Sequence, residues 1–294
     1  MRQPIFKGIA TALITPFKGG EVDYESFGRL IDWQIESGIN GLVICGTSGE
    51  GPTLTDEEHR ECIRFAVERA AGRVPIIAGT GSNDTAYAIS LTKFSCEAGA
   101  DAMLVVTPYY NKATQGGLVA SFEAIADAST KPLILYNVPS RTGCGFKAAT
   151  YARLAEHENI AAIKEASGDI SLVVETRALV GDKLDIYSGN DDQVVPILAM
   201  GGSGVISVLS NVMPAQTHEM CERFFEGDLA GAAKLQMEYL PLINALFSEV
   251  NPIPVKAAMA AMGWCENYLR MPLTRMEPEH WEKLKTIMQA HKLI

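Results

Sequence analysis

Lys164 ends an otherwise apolar run, Ile160-Ala161-Ala162-Ile163-Lys164-Glu165-Ala166-Ser167. Lysine is almost never buried without a partner or a task. In a dry pocket an ammonium is disfavoured, and a nucleophilic amine becomes available near neutral pH. Schiff-base formation with a ketone requires such an amine. The competing reading is a structural lysine neutralised by Glu165 or another acid. Strand alternation weakens it, because Glu165 then faces the opposite side, toward a helix layer. Lys256 is the rival nucleophile; it follows Pro254 in a helical pattern that buries the stem and leaves the charged head in solvent.

Other reactive types end neighbouring runs. Pro132-Leu133-Ile134-Leu135-Tyr136-Asn137-Val138-Pro139-Ser140-Arg141 brings a phenol one strand before Lys164. A tyrosine beside an amine can shuttle protons to and from carbinolamine and enamine intermediates; the alternative is a core aromatic with a satisfied hydroxyl. Arg141, just past that strand beside Gly143 and Gly145, suits a substrate carboxylate, or else is a solvated arginine. In Cys45-Gly46-Thr47-Ser48-Gly49-Glu50-Gly51, glycines around two hydroxyls let backbone N–H groups approach an anion. The stretch is neither a nucleophile elbow, because G-x-S-x-G fails at Glu50, nor a P-loop. Thr107-Pro108-Tyr109-Tyr110-Asn111 places two more phenols on the same rim.

Several classes are disfavoured. The five histidines, 59, 157, 218, 280 and 291, lack metal-binding spacing. Gly79-x-Gly81 lacks the third glycine of a dinucleotide fingerprint, so no metal and no cofactor is expected. A formal net charge of −10 argues against non-specific nucleic-acid binding. No apolar run approaches the roughly 18 residues of a membrane span. The six cysteines form no C-x-x-C pair and read as reduced thiols. A cytoplasmic protein is expected, with no membrane partner.

These residues must be held at one end of a common scaffold. Near-continuous apolar runs recur at Gly8–Thr15, Gly41–Thr47, Pro75–Thr80, Ala102–Pro108, Pro132–Pro139, Ile160–Ser167, Leu184–Asn190 and Gly204–Ser210. Continuous rather than alternating runs mark parallel strands buried on both faces. Amphipathic helical stretches separate them, with Asp23 and the Thr55 capping box as starts and Gly38, Gly72 and Gly99 as stops. Eight such units predict an α/β fold, a (β/α)₈ TIM barrel whose reactive groups gather at the C-terminal strand ends; a doubly wound open sheet is the alternative. After Pro214 only helical patterns remain, Leu229–Phe247, Val255–Met262 and Pro278–Lys292. The expected division is a barrel over 1–226 and a small α-helical C-terminal domain over 227–294.

Gly46-Thr47-Ser48-Gly49-Glu50, Tyr136-Asn137-Val138-Pro139-Ser140-Arg141-Thr142-Gly143 and Ile163-Lys164-Glu165 together resemble the dihydrodipicolinate synthase and N-acetylneuraminate lyase superfamily. The likeness extends to Gly204-Val205-Ile206-Ser207-Val208 and Asn251-Pro252-Ile253-Pro254-Val255-Lys256, essentially the whole chain. It implies a Schiff base between Lys164 and pyruvate, with Tyr136, Thr47 and a neighbouring subunit's Tyr110 relaying protons. It implies a pyruvate carboxylate on the Thr47-Ser48 backbone, with Gly189 and Ile206 lining the pocket. The enamine would attack L-aspartate 4-semialdehyde, whose carboxylate meets Arg141, in the first committed step toward diaminopimelate and lysine. Sugar-acid lyases share the lysine and tyrosine but generally differ at Arg141; they are the alternative. Relatives are commonly homotetramers, dimers of tight dimers. Where lysine inhibits relatives, it binds an interface cleft matching Gly51, Pro52, Asp56, His59, Asn83, Tyr87 and Tyr109. His59, Asn83 and Tyr109 fit that pattern. Tyr87 replaces a glutamate and Asp56 a histidine, which implies weak or absent inhibition. Ser48 stands where many synthases have threonine and keeps the hydroxyl.

Overall fold

The computed structural model describes residues 3–294. Eight parallel strands, Gly8–Ala12, Gly41–Ile44, Ile76–Gly79, Ala102–Val106, Leu133–Asn137, Ile160–Glu165, Asp185–Ser188 and Gly204–Ser207, close into a barrel in sequence order, the eighth pairing with the first. Each lies within one of the eight apolar runs. The inward side chains, among them Ala10, Val43, Ile77, Leu104, Ile134 and Ile206, form the interior cluster. The outward ones, such as Ile9, Leu42, Met103 and Ile163, pack beneath the helices. Burial on both faces explains why the runs do not alternate.

The strands are shorter than the runs because their last residues leave the sheet. Ile44 ends the second strand, and Cys45 turns away with φ of 56°. Thr47 and Ser48 therefore belong to a turn rather than a strand end. A short hairpin, Phe17–Lys18 against Glu21–Val22, follows the first strand and had no clear sequence signal.

Local chemistry sets the helix starts. Asp23 accepts the Ser26 N–H ahead of helix Tyr24–Glu36. Thr55 and Glu58 form a reciprocal capping box ahead of Asp56–Ala70. Four helices end the chain: Pro214–Phe225, Leu229–Leu246, Ile253–Ala261 and Pro278–Ala290. The third starts at Ile253, two residues before its predicted boundary. Trp264 stacks on Trp33 at 4.5 Å between centroids, joining the C-terminal segment to a barrel helix. Among the described residues no helix is long and apolar enough to cross a membrane.

Candidate active site

Strands five and six pair so that Tyr136 lies opposite Lys164 and Asn137 opposite Glu165. Lys164 is buried, at 5% exposure, and among the described residues no carboxylate comes within ion-pair distance of it. Its Nζ sits over the Tyr136 ring, 4.3 Å from the centroid. Glu165 turns the other way, as alternation requires. Its carboxylate accepts the Asn137 amide at 3.0 and 3.1 Å, the Tyr151 hydroxyl at 2.8 Å and the Ser167 N–H at 2.8 Å. Burial pushes the Glu165 carboxyl above the usual glutamate range, against the pull of these donors.

The rival lysine is placed differently from its expectation. Lys256 does not reach solvent: the whole side chain is buried, and Nζ donates to Glu50 Oε1 at 2.5 Å and to the Thr15 carbonyl at 2.6 Å. Burial draws its pKa below the lysine range, with the Glu50 charge opposing. The helical pattern was right, but the exposed-head geometry is replaced because Glu50 compensates the buried charge. Lys256 lines no cavity beside Lys164, which supports Lys164 as the reactive amine.

Lys164 opens into a cavity of about 140 Å³ lined also by Thr47, Ser48, Tyr136, Arg141 and Gly189. Among the described residues no acceptor meets the backbone N–H groups of Thr47 and Ser48. The turn that lines the cavity thus carries two unengaged backbone donors. The Ser48 hydroxyl lies 3.1 Å from Asn251 Nδ2, which donates to it. Arg141, on the short helix Pro139–Thr142, is exposed and among the described residues has no carboxylate partner; its Nη2 donates to the Asn251 carbonyl at 3.3 Å. Gly189 packs directly on the lysine: a Cβ there would meet Lys164 Cε at 3.1 Å and Ala166 Cβ at 2.6 Å. A side chain at 189 would therefore collide with Ala166 and press on the Lys164 stem.

Ile206 does not line this cavity. It is fully buried in the interior cluster, and Val208, two residues on, takes the lining position. The period of two residues puts both on one face, and the cavity lies at the height of the later one. Tyr110 is 92% exposed with φ of 69° and does not reach the cavity of its own chain.

A wider cleft of about 490 Å³ shares Thr47, Tyr136, Arg141 and Asn251 with this cavity and extends past Gly51, His59, Tyr87 and Tyr109. His59 is buried and donates from Nε2 to the Gly79 carbonyl at 2.8 Å; burial lowers its pKa. Asn83 does not line the cleft; its carbonyl accepts the Asn111 amide at 2.9 Å. Asp56 accepts from Arg60 at 2.8 Å and from the Tyr87 hydroxyl at 3.0 Å.

Sequence reasoning gave no role to Asn251, Val208 and Phe247, which line the cavity, or to Glu50 and Lys256 as a pair. Their residue types carried no signal, since chain folding alone brings the C-terminal segment to the barrel mouth. Among the described residues no three His, Cys, Asp or Glu side chains gather into a metal-binding group.

The profile of the dihydrodipicolinate synthetase family matches residues 5–291 of this chain. The chain belongs to that family. A 4-hydroxy-tetrahydrodipicolinate synthase of Lachnoclostridium phytofermentans is 56% identical over 292 residues, covering 99% of each chain. The dihydrodipicolinate synthase of Aquifex aeolicus superposes with a TM-score of 0.96 at 45% identity, over 98% of this chain and 99% of the other. The chloride-inhibited dihydrodipicolinate synthase of Acinetobacter baumannii, complexed with pyruvate, gives 0.96 at 42% identity over 98% and 99%. Membership of the family agrees with the barrel and with the motifs around Thr47, Tyr136 and Lys164.

Proposed function

We propose that this chain condenses pyruvate with L-aspartate 4-semialdehyde to 4-hydroxy-tetrahydrodipicolinate through a Schiff base on Lys164. The observation that carries the reading is a buried lysine beside Tyr136 with no carboxylate partner among the described residues, in a cavity lined also by Arg141 and by Thr47 and Ser48, whose backbone N–H groups are unengaged. The Lys164 amine adds to the pyruvate ketone, and loss of water leaves an iminium. A methyl proton departs to give the enamine, whose carbon attacks the aldehyde. The substrate's own amine then adds to the iminium carbon, closes a six-membered ring and frees Lys164. Tyr136 and Thr47 relay the protons. The Thr47-Ser48 turn, with Ser48 anchored to Asn251, receives the pyruvate carboxylate, and Arg141 receives that of the semialdehyde.

In this reading the barrel, residues 1–226, carries the chemistry, and residues 227–294 form a C-terminal helical domain. The enzyme works in the cytoplasm in diaminopimelate and lysine biosynthesis, as a homotetramer built from dimers. Tyr110, solvent-exposed on its own chain, completes a neighbour's site. Mass spectrometry after borohydride reduction with pyruvate tests the reading. The expected adduct lies on the peptide bearing Lys164, and semialdehyde is then converted to the cyclic product. Absence of an adduct refutes it.

A further inference from the structure

Glu50 and Lys256 form a fully buried ion pair between the turn after strand two and the helix Ile253–Ala261. Replacing such a pair by well-packed apolar groups is often neutral or stabilising, so stability alone does not account for it. Its position does. Glu50 sits three residues after Thr47, in the left-handed region with φ of 53°, and its N–H donates to the Thr47 carbonyl at 3.2 Å. A non-glycine residue holds that conformation only when its surroundings over-determine it.

Those surroundings come from both ends of the chain. Lys256 Nζ holds Glu50 Oε1, and the Arg270 N–H donates to Glu50 Oε2 at 3.0 Å. The same Nζ donates to the Thr15 carbonyl, while the Thr15 hydroxyl donates to the Gly49 carbonyl at 2.7 Å. The turn bearing the two free N–H groups is thus held at Glu50 by the Lys256 ammonium directly and at Gly49 through Thr15. A Cβ at Gly51 would meet the Cys45 carbonyl at 2.3 Å, so the turn is also pressed tightly onto the strand it leaves.

We propose that Glu50 and Lys256 are positioning residues for the first substrate. Their pair holds the Thr47–Ser48 N–H groups where they meet the carboxylate of a 2-oxo acid bound to Lys164, and so makes the C-terminal helical segment part of the pyruvate site. The proposal rests on the Schiff-base reading above. Arg141 makes no hydrogen bond to Glu50 or Lys256 and meets this segment only at the Asn251 carbonyl, so the pair is expected to act mainly on the first substrate.

The test uses Glu50→Gln, which is isosteric, Lys256→Met, and the double variant Glu50→Leu/Lys256→Met, in the full-length enzyme. Pyruvate is titrated in borohydride trapping, each substrate is varied in initial-rate assays, and melting is followed by circular dichroism. The half-saturating pyruvate concentration is expected to rise about ten-fold or more in each variant, the scale of one charge-assisted hydrogen bond, with the semialdehyde KM at saturating pyruvate within about two-fold. The double variant is expected to regain Tm lost in the singles while the pyruvate defect persists. Unchanged pyruvate saturation in Glu50→Gln, equal losses for both substrates, or recovery of pyruvate affinity in step with Tm overturns the proposal. A wild-type enzyme that traps no pyruvate overturns instead the reading beneath it.

Discussion

Tyr136 and Lys164 are register partners on strands five and six, with the lysine Nζ 4.3 Å from the centre of the phenol ring. The relationship is set by the backbone ladder. One rung further, Asn137 and Glu165 are joined on the outer face by side-chain hydrogen bonds, which lock the same register from behind. Side chains built on paired strands hold their geometry better than a pair on loops, as the proposed roles of Lys164 and Tyr136 require.

Lys164→Ala is expected to abolish borohydride-trapped pyruvate and nearly all turnover. Lys256→Met is expected to keep the adduct on Lys164 at saturating pyruvate, because its ammonium is engaged by Glu50 and lies outside the cavity. Peptide mapping of the reduced adduct checks both; an adduct on any other lysine counts against the assignment.

Arg141→Ala is expected to lower kcat/KM for the semialdehyde ten- to a hundredfold, about 1.5–3 kcal/mol for a charge-assisted hydrogen bond. Pyruvate trapping should remain as in the wild type, since among the described residues the Arg141 guanidinium hydrogen-bonds to the Asn251 carbonyl alone and not to Lys164, Thr47 or Ser48. Unaltered semialdehyde kinetics would remove Arg141 from the substrate site.

Tyr110 is 92% exposed, far more than an in-chain relay allows. Mixing two inactive variants, Lys164→Ala and Tyr110→Phe, through unfolding and refolding is expected to restore about a quarter of wild-type activity, the share of intact sites in randomly paired symmetric dimers. No recovery, together with an active monomer by sedimentation, refutes a shared site.

L-lysine at about 1 mM, corresponding to binding near −4 kcal/mol, is expected to leave the initial rate unchanged. A buried ammonium needs an opposing charge. In the cleft Tyr87 supplies a phenol, and Asp56 is already held by Arg60 and by the Tyr87 hydroxyl. Clear inhibition at that concentration would show that another group supplies the charge.

Arg270 donates to both oxygens of Glu58 at 2.5 Å, and these hydrogen bonds bring the Glu58 pKa down from 4.5 to about 2. A carboxylate with a depressed folded-state pKa adds stability above its unfolded value and loses it as pH falls through the folded one. The Tm is therefore expected to drop between pH 4.5 and about 2, and to drop less steeply in Glu58→Gln. Parallel Tm profiles for the two proteins would show that the ion pair contributes nothing to the acid limb.

The eight strands, the capping of Tyr24–Glu36 and Asp56–Ala70, and the lysine and tyrosine at adjacent strand ends were legible in the sequence, because burial on two faces and local capping leave periodic and compositional marks. The side of the strand that Glu165 takes followed from alternation alone. The local pattern set Lys256 on a helix and Lys164 at a strand end, but only the closed fold shows that one meets Glu50 while the other meets a cavity. The same holds for Val208 in place of Ile206, since alternation names the face but not the height of the cavity floor. It holds too for Asn251, which tertiary contact alone brings to both Ser48 and Arg141, more than a hundred residues away in the chain. Charge pairing and cavity lining are properties of side chains brought together by closure of the barrel, and sequence spacing carries no record of them.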